Sequence, residues 1–422
     1  MHRFMPPLLL LAVVLTAVFV PPVMAAELTP LLDLRVRQEI LDGVYHFASD
    51  KDRDWIRIRT RAGARLDLGA HRLEFRVNNE HRYFISPDQE SDFDEIILDR
   101  GFWSWQSAAG ARITAGRQDI IWPGGFLMLE GHPLDGSRSI YHNALRLQWG
   151  GLDASAIYNP KYDPIVLIDD EDRALTDADE AALAVRYARG GLAGATILKF
   201  EHDPDDALDD LVTATLSSSY ESDQEEPWFW RAEAALQFQD GTVRVAREDL
   251  FDDGSGWAFA GEAAATVHTG TRTDASIGAF YYSGLDGGLR PFRTPWGRWP
   301  RWSELYIYSL IGESTPGRVH VAAWEDIAAP RFGLRHRIND HLTISAVASY
   351  LVSPATGDAR GLLTELGLKA RIGAGFTGHL LWEMFDPGAF HDGRYGLPAM
   401  TSPVHFLRWQ LSWALPSPGT KA

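Results

Sequence analysis

The chain has 422 residues, no cysteine and a formal net charge of −17 at neutral pH. That excludes a small disulfide-stapled scaffold and any bulk attraction to nucleic acid or anionic lipid. Mean hydropathy is −0.18, and beyond residue 20 no run approaches the roughly 18 apolar residues of a membrane-spanning helix, so a helical membrane protein is excluded while a transmembrane barrel is not.

The first 25 residues read as a signal peptide: His2 and Arg3, an apolar run from Leu8 to Val20, then Val23-Met24-Ala25 as small residues before a cleavage point. The remainder, 26–422, is expected to be one domain. From there apolar and polar residues alternate with period two, the signature of β-strands whose side chains point to opposite faces. Leu32, Leu34 and Val36 interleave with Asp33, Arg35 and Arg37. Arg57, Arg59, Arg61 and Arg65 share one parity against Ile56, Ile58, Thr60 and Leu66, and Arg72, Glu74 and Arg76 alternate with Leu73, Phe75 and Val77. The pattern returns at Leu145 to Trp149 around Arg146, at Trp230 to Phe238, at Leu342 to Tyr350 and at Leu407 to Leu415.

The connections alternate too. Tight turns are expected at Gly69-Ala70, Gly150-Gly151, Gly190-Gly191, Asp240-Gly241, Asn339-Asp340 and Gly373-Ala374-Gly375. Long stretches lie between them, at 119–142, 160–180, 284–303 and 385–404, well above the ordinary loop length of ~4–6 residues. Short turns at one end and long loops at the other belong to an outer-membrane barrel, with short periplasmic turns and long extracellular loops. The fold class is therefore all-β, a transmembrane antiparallel β-barrel. About twenty-one segments qualify as strands, an odd number that breaks the up-and-down order between 181 and 239; a range of roughly 16–20 strands is consistent with the rest. One face of each strand is apolar, as lipid requires. The other carries more charge than a dry core accepts, which predicts a wet lumen lined by arginine.

RTRAGARLDLGAHRLEFRVNNEHRYF followed by FDEIILDRGFW, then AGRQDIIWPGG, then LLTELGLKARIGAGFTGHLLWEMFDPGAF, resembles in order the strands of the bacterial alginate export family. The resemblance implies an eighteen-stranded barrel with an arginine-rich lumen, passing polyuronate outward in its best-known member. It assigns Arg57, Arg59, Arg61, Arg65, Arg72 and Arg76 to the basic early strands, Arg117 and Gln118 to a shared Gly-Arg-Gln motif, and Glu365 and Glu383 to the late hairpin. With Arg35, Arg37 and Arg146 the arginines form a candidate anion pathway, and Glu74, Glu95 and Asp99, with Asp67 and Glu80, would temper its field. Arg–carboxylate ladders that merely brace the wall are the alternative.

Three other segments carry weight. Residues 119–142 are apolar for a solvent loop and either constrict the lumen or cap its rim. PFRTPWGRWPRW places Trp296, Trp299 and Trp302 among arginines, as an interfacial belt or a sugar-stacking surface. IDDEDRALTDADE lacks the glycine of a calcium loop and reads as solvated charge. No nucleophile elbow, zincin, Walker or Cys-His motif is present, so neither an enzyme nor a cofactor is expected. The expected function is an outer-membrane channel for anionic solutes, possible partners being outer-membrane lipid, lipopolysaccharide, an acidic polysaccharide such as alginate and a periplasmic secretion component. A general nutrient-uptake porin and a non-conducting structural barrel are the alternatives.

Overall fold

The structure, a computed structural model, describes residues 26–43, 52–86, 92–93, 96–128, 141–163, 165–168, 178–205, 210–245, 250–297, 302–305, 326–391 and 402–415. Eighteen antiparallel strands close into one barrel. The first seven are β1 Ala26–Asp42, β2 Arg53–Leu68, β3 His71–Ser86, β4 Ile96–Gln106, β5 Arg112–Gln118, β6 His142–Trp149 and β7 Leu152–Asn159. Then come β8 Asp179–Arg189, β9 Leu192–His202, β10 Leu211–Glu221, β11 Trp228–Val245, β12 Leu250–His268 and β13 Thr273–Tyr282. The last five are β14 Ile327–Arg337, β15 Leu342–Val352, β16 Ala359–Gly373, β17 Phe376–Pro387 and β18 Val404–Ala414. Each pairs with its successor, and β18 closes on β1 with Asp33 opposite Ala414 and Asp42 opposite His405. Closure leaves no open edge among these strands, as a wall facing hydrocarbon requires.

The period-two pattern sets which face is which. Ile58, Leu73, Phe75, Leu145, Leu183, Leu216, Phe332 and Leu366 stand exposed on the outside, while the alternate positions face in. One inward row runs in register from Arg72 through Ser104, Thr114, Arg146, Ser155, Ala184, Ile197 and Thr215 to Gln237. Going round the barrel, that row changes from charged to apolar at β8 and β9, where Ala184 and Ile197 are fully buried. So the interior is not uniformly wet.

Both ends of the barrel sequence, Ala26 and Ala414, lie at the same end as the turns at 69–70, 150–151, 190–191, 338–341 and 374–375. The long connections gather at the other end. The expected turn at Asp240-Gly241 is not there. β11 runs straight through it, with Gly241 opposite Leu211 on one side and Gly254 on the other. Gly241 has φ +121°, and a Cβ there would stand 2.2 Å from the Asp210 carbonyl oxygen. Glycine is needed here for close backbone approach rather than for a turn. Removing that turn restores the up-and-down order that fails in the sequence reading, and the barrel has an even number of strands.

Candidate functional site

The early arginines all sit on the inner wall, tied to carboxylates from neighbouring strands. Arg35 Nη2 and Arg57 Nε donate to Glu80 at 3.1 and 2.5 Å, and Arg57 also reaches Glu39 at 3.3 Å. Arg37 lies 3.1 Å from Glu39, and Arg59 donates to Asp33 at 2.8 Å. Arg61 and Arg76 converge on Asp99 at 3.3 and 2.6 Å. Arg100 bridges Glu74 and Asp119. Further round, Arg117 grips Asp163 with both terminal nitrogens and donates to Asn143, while Arg146 pairs with Asp153 at 2.5 Å.

The arginines therefore face the lumen, yet Arg35, Arg37, Arg57, Arg59, Arg61 and Arg117 are at most 5% exposed. The sequence argument for a wet wall fails here because pairing meets the cost that water would otherwise meet. Of the early set, Arg65 and Arg72, beside Asp67 near the tight-turn end, remain partly open. Gln118 donates to the Ala144 carbonyl and serves the strand junction. Glu95 lies outside the described residues, as do Trp299 and most of the acidic stretch, 169–177.

Two long connections fold inward. Residues 120–128 pack against 294–297, with the Trp296 amide donating to Leu127 and the Thr294 hydroxyl to Phe126. Between the two expectations for the 119–142 loop, its described part is buried inside. Residues 290–296 then follow the inner wall. Arg290 donates to Gly241 and Gly254, Gln239 to Pro291, Gln237 to Arg293 and Lys199 to Pro295. Trp296 is wholly buried, its indole N–H donating to Glu180 while the Lys199 ammonium stands 5.0 Å from its ring centroid. Trp302, also buried, stacks on Phe280. These two tryptophans are thus neither an interfacial belt nor an open sugar platform; they anchor the inward segment.

Beyond Trp302 the chain meets the opposite wall. The Ser303 hydroxyl and the Glu304 and Leu305 amides donate to the Glu383 carboxylate at 2.7–3.1 Å, and Glu304 pairs with Arg408. Glu180 is on β8 and Glu383 on β17, nine strands apart in a ring of eighteen. The segment is thus fastened at diametrically opposite points. Glu365, the cross-strand neighbour of Glu383, pairs with Arg331 at 3.3 Å.

Below this strap, towards the tight turns, a cavity of about 1330 Å³ remains open between the strap and β12–β18. Its carboxylates are mostly engaged: Glu304 with Arg408, Glu365 with Arg331, Asp274 with His268, and Glu383 with the strap. Five exposed cations on its wall are not: Arg272 and Arg337 donate to the Ile338 and Thr271 carbonyls, and three more stand clear of the carboxylates. Among the described residues no carboxylate lies within ion-pair distance of Arg335, Lys369 or Arg371. The sequence reading did not single these out, although RFGLRHR and LKAR alternate as clearly as the early strands.

At the long-loop end, Lys161 is held by Asp203 and Asp205 at 2.5 and 2.8 Å, and the Tyr162 hydroxyl donates to Asp205. Burial pulls the Lys161 ammonium down, but the two carboxylates outweigh it and its pKa is raised. Lys161 and Tyr162 in turn hold the Asp205 carboxyl below its ordinary value.

No protein-family model matches this sequence, and no curated protein matches it. The barrel is similar to solved outer-membrane porin structures. With Acinetobacter baumannii OccAB1 the TM-score is 0.61 at 12% identity, covering 92% of this chain and 96% of that one. With Pseudomonas aeruginosa OprD it is 0.56 at 12% identity, covering 92% and 95%. With P. aeruginosa OccK2 (OpdF), solved in complex with glucuronate, it is 0.54 at 12% identity, covering 92% and 98%. At such identity the likeness speaks for the barrel fold; the resemblance to the alginate export family finds no matching model.

Proposed function

We propose that this chain is a passive outer-membrane channel for small anionic solutes. The observation that carries the reading is the cavity at the tight-turn end, where Arg335, Lys369 and Arg371 face open space without a carboxylate partner. Exposed guanidinium and ammonium groups on a channel wall lower the cost of admitting carboxylates and offer individually weak sites that release them again. The ladder of buried Arg35, Arg37, Arg57, Arg59, Arg61 and Arg117 with half-buried Arg76 and Arg146 braces the wall, its charge being met locally by carboxylates. Arg65 and Arg72 continue the accessible surface. The glucuronate bound by a barrel of the same shape supports a uronate-sized solute; a polyuronate such as alginate is the more specific form of the reading. The outer apolar face suits outer-membrane lipid and lipopolysaccharide, and a secretion component would meet the tight-turn end.

A second reading, a non-conducting barrel, is favoured by the strap fastened at opposite walls. Swelling of proteoliposomes separates the two. The channel reading expects sodium galacturonate to enter faster than galactose of the same size, whereas a structural barrel admits neither.

A further inference from the structure

We infer that His379 is an acid-released latch for the far end of the strap: as a neutral ring it holds Arg408 on Glu304, and as an imidazolium it lets Arg408 go. The inference adds a regulation to the channel reading above, and only its effect on current rests on that reading.

Three observations converge. The first is the direction of one hydrogen bond. Arg408 Nε donates to His379 Nε2 at 3.0 Å. A guanidinium carries donors only, so the ring nitrogen facing it has no proton, and the ring is neutral in this arrangement. Imidazole is the side chain that changes charge between pH 5 and 8. Once protonated, the ring has no lone pair left for Arg408 and meets it charge to charge.

The second is what Arg408 holds. It is buried, 3.2 Å from the Glu304 carboxylate on the strap and 3.8 Å from Glu39 on β1. Pushed off His379, Arg408 can move towards Glu39 and leave Glu304. Glu304 then stays beside Glu383, the carboxylate to which the Ser303 hydroxyl and the Glu304 and Leu305 amides donate. Two like charges are left together at the very point where the strap is fastened, which works against the fastening.

The third is the setting of the ring. Lys369 on β16 lies directly opposite His379, with Arg371 two positions further on the same face, and Gln410 on β18 flanks the other side. The carboxylates facing this region are Glu304 on the strap, Glu383 on the same strand, Glu365 on β16 and Glu39 on β1. All four are already engaged, with Arg408, the strap donors, Arg331, and Arg37 with Arg57. Protonation therefore places a third cation between Lys369 and Arg408. His379 also lines the open cavity of about 1330 Å³, so solvent protons reach it. The latch is complete above the imidazole range and is lost as pH falls through it.

The test follows hydrogen exchange of the Glu304 and Leu305 amides in the detergent-folded barrel at pH 7.5 and 5.5, corrected for intrinsic rates. Wild-type protection should fall about tenfold at pH 5.5, the effect of losing one hydrogen bond from a charged group. His379→Gln offers Arg408 a side-chain oxygen that takes up no proton, and should keep its protection at both pH values. His379→Lys, a permanent cation, should show the lowered protection at both. Single-channel conductance in a planar bilayer should rise at pH 5.5 in the wild type and stay constant in His379→Gln. Wild-type protection that does not fall overturns the inference. So does an equal fall in His379→Gln, since the acid-sensitive group would then be a carboxylate of the fastening. Protection that falls while conductance stays level overturns the effect on current. A folded barrel that conducts at neither pH contradicts the channel reading, and hydrogen exchange then decides the latch by itself.

Discussion

At the scale of single residues, a charge inside this barrel is worth what its partners make it. Glu80 receives hydrogen bonds from both Arg35 and Arg57 and is almost fully buried. Glu80→Gln leaves two guanidinium groups short of their counter-charge, and breaking a buried pair costs about 3–5 kcal/mol. Arg335 faces the open cavity, and Arg335→Gln should change stability by no more than about 0.5 kcal/mol. Urea midpoints of the detergent-folded variants check the contrast; equal shifts would contradict it. The same contrast limits what sequence can tell. Arg335 and Arg57 sit in equally clear alternating strands. What separates them is whether a carboxylate from another strand comes within reach, as Asp33, Glu80 and Asp99 do for the early arginines. That is a property of the closed barrel and has no local signal.

At the scale of elements, alternation was enough to find the strands, and the glycine turns were enough to find most hairpins. Asp240-Gly241 misleads because the same dipeptide serves a two-residue turn and a close backbone approach within a strand. Gly241→Ala should cost about 1–3 kcal/mol, since its positive φ and the Asp210 carbonyl both oppose a side chain. Gly150→Ala, in a turn with nothing within 4 Å of the added atom, should cost only about 1–2 kcal/mol. Heat-modifiability on gels ranks the two; a neutral Gly241→Ala would remove the close-approach argument. The inward course of the long connections was legible only as an oddly apolar composition around Trp122 and Phe126. Their direction depends on Glu180, Lys199 and Gln237, residues on β8, β9 and β11 that neither loop adjoins in sequence. Trp296→Ala empties a buried site and unties the strap at β8, so single-channel conductance should rise; an unchanged conductance would mean the strap does not narrow the path.

The loop-end cluster adds a pH dependence. Asp205, held below its ordinary pKa, contributes above the unfolded carboxylate range and loses that contribution as pH falls through its lowered value. Lys161, raised, contributes below the ordinary lysine pKa and loses it only as pH rises through its raised value. The tie therefore holds across neutral pH and gives way in acid. Once intrinsic exchange rates are corrected for, hydrogen exchange of amides 161–163 should show protection at pH 7 that is reduced below the carboxylate range.

For the whole molecule, closure into eighteen strands separates an apolar exterior from a charged interior, and the strap divides that interior into a braced wall and an open cavity. The fold was legible from period and turn asymmetry because both are set by the bilayer and by strand geometry, which act along the sequence. The division of the lumen was not, because it depends on contacts across the barrel. The central claim is that open cations at the tight-turn cavity make this an anion channel, and the reversal potential across a salt gradient in a planar bilayer tests it most directly. The wild-type barrel should prefer anions, and Arg335→Gln/Lys369→Gln/Arg371→Gln should lose most of that preference while remaining folded. A cation-selective wild type, or an anion preference untouched by the triple substitution, would contradict the account.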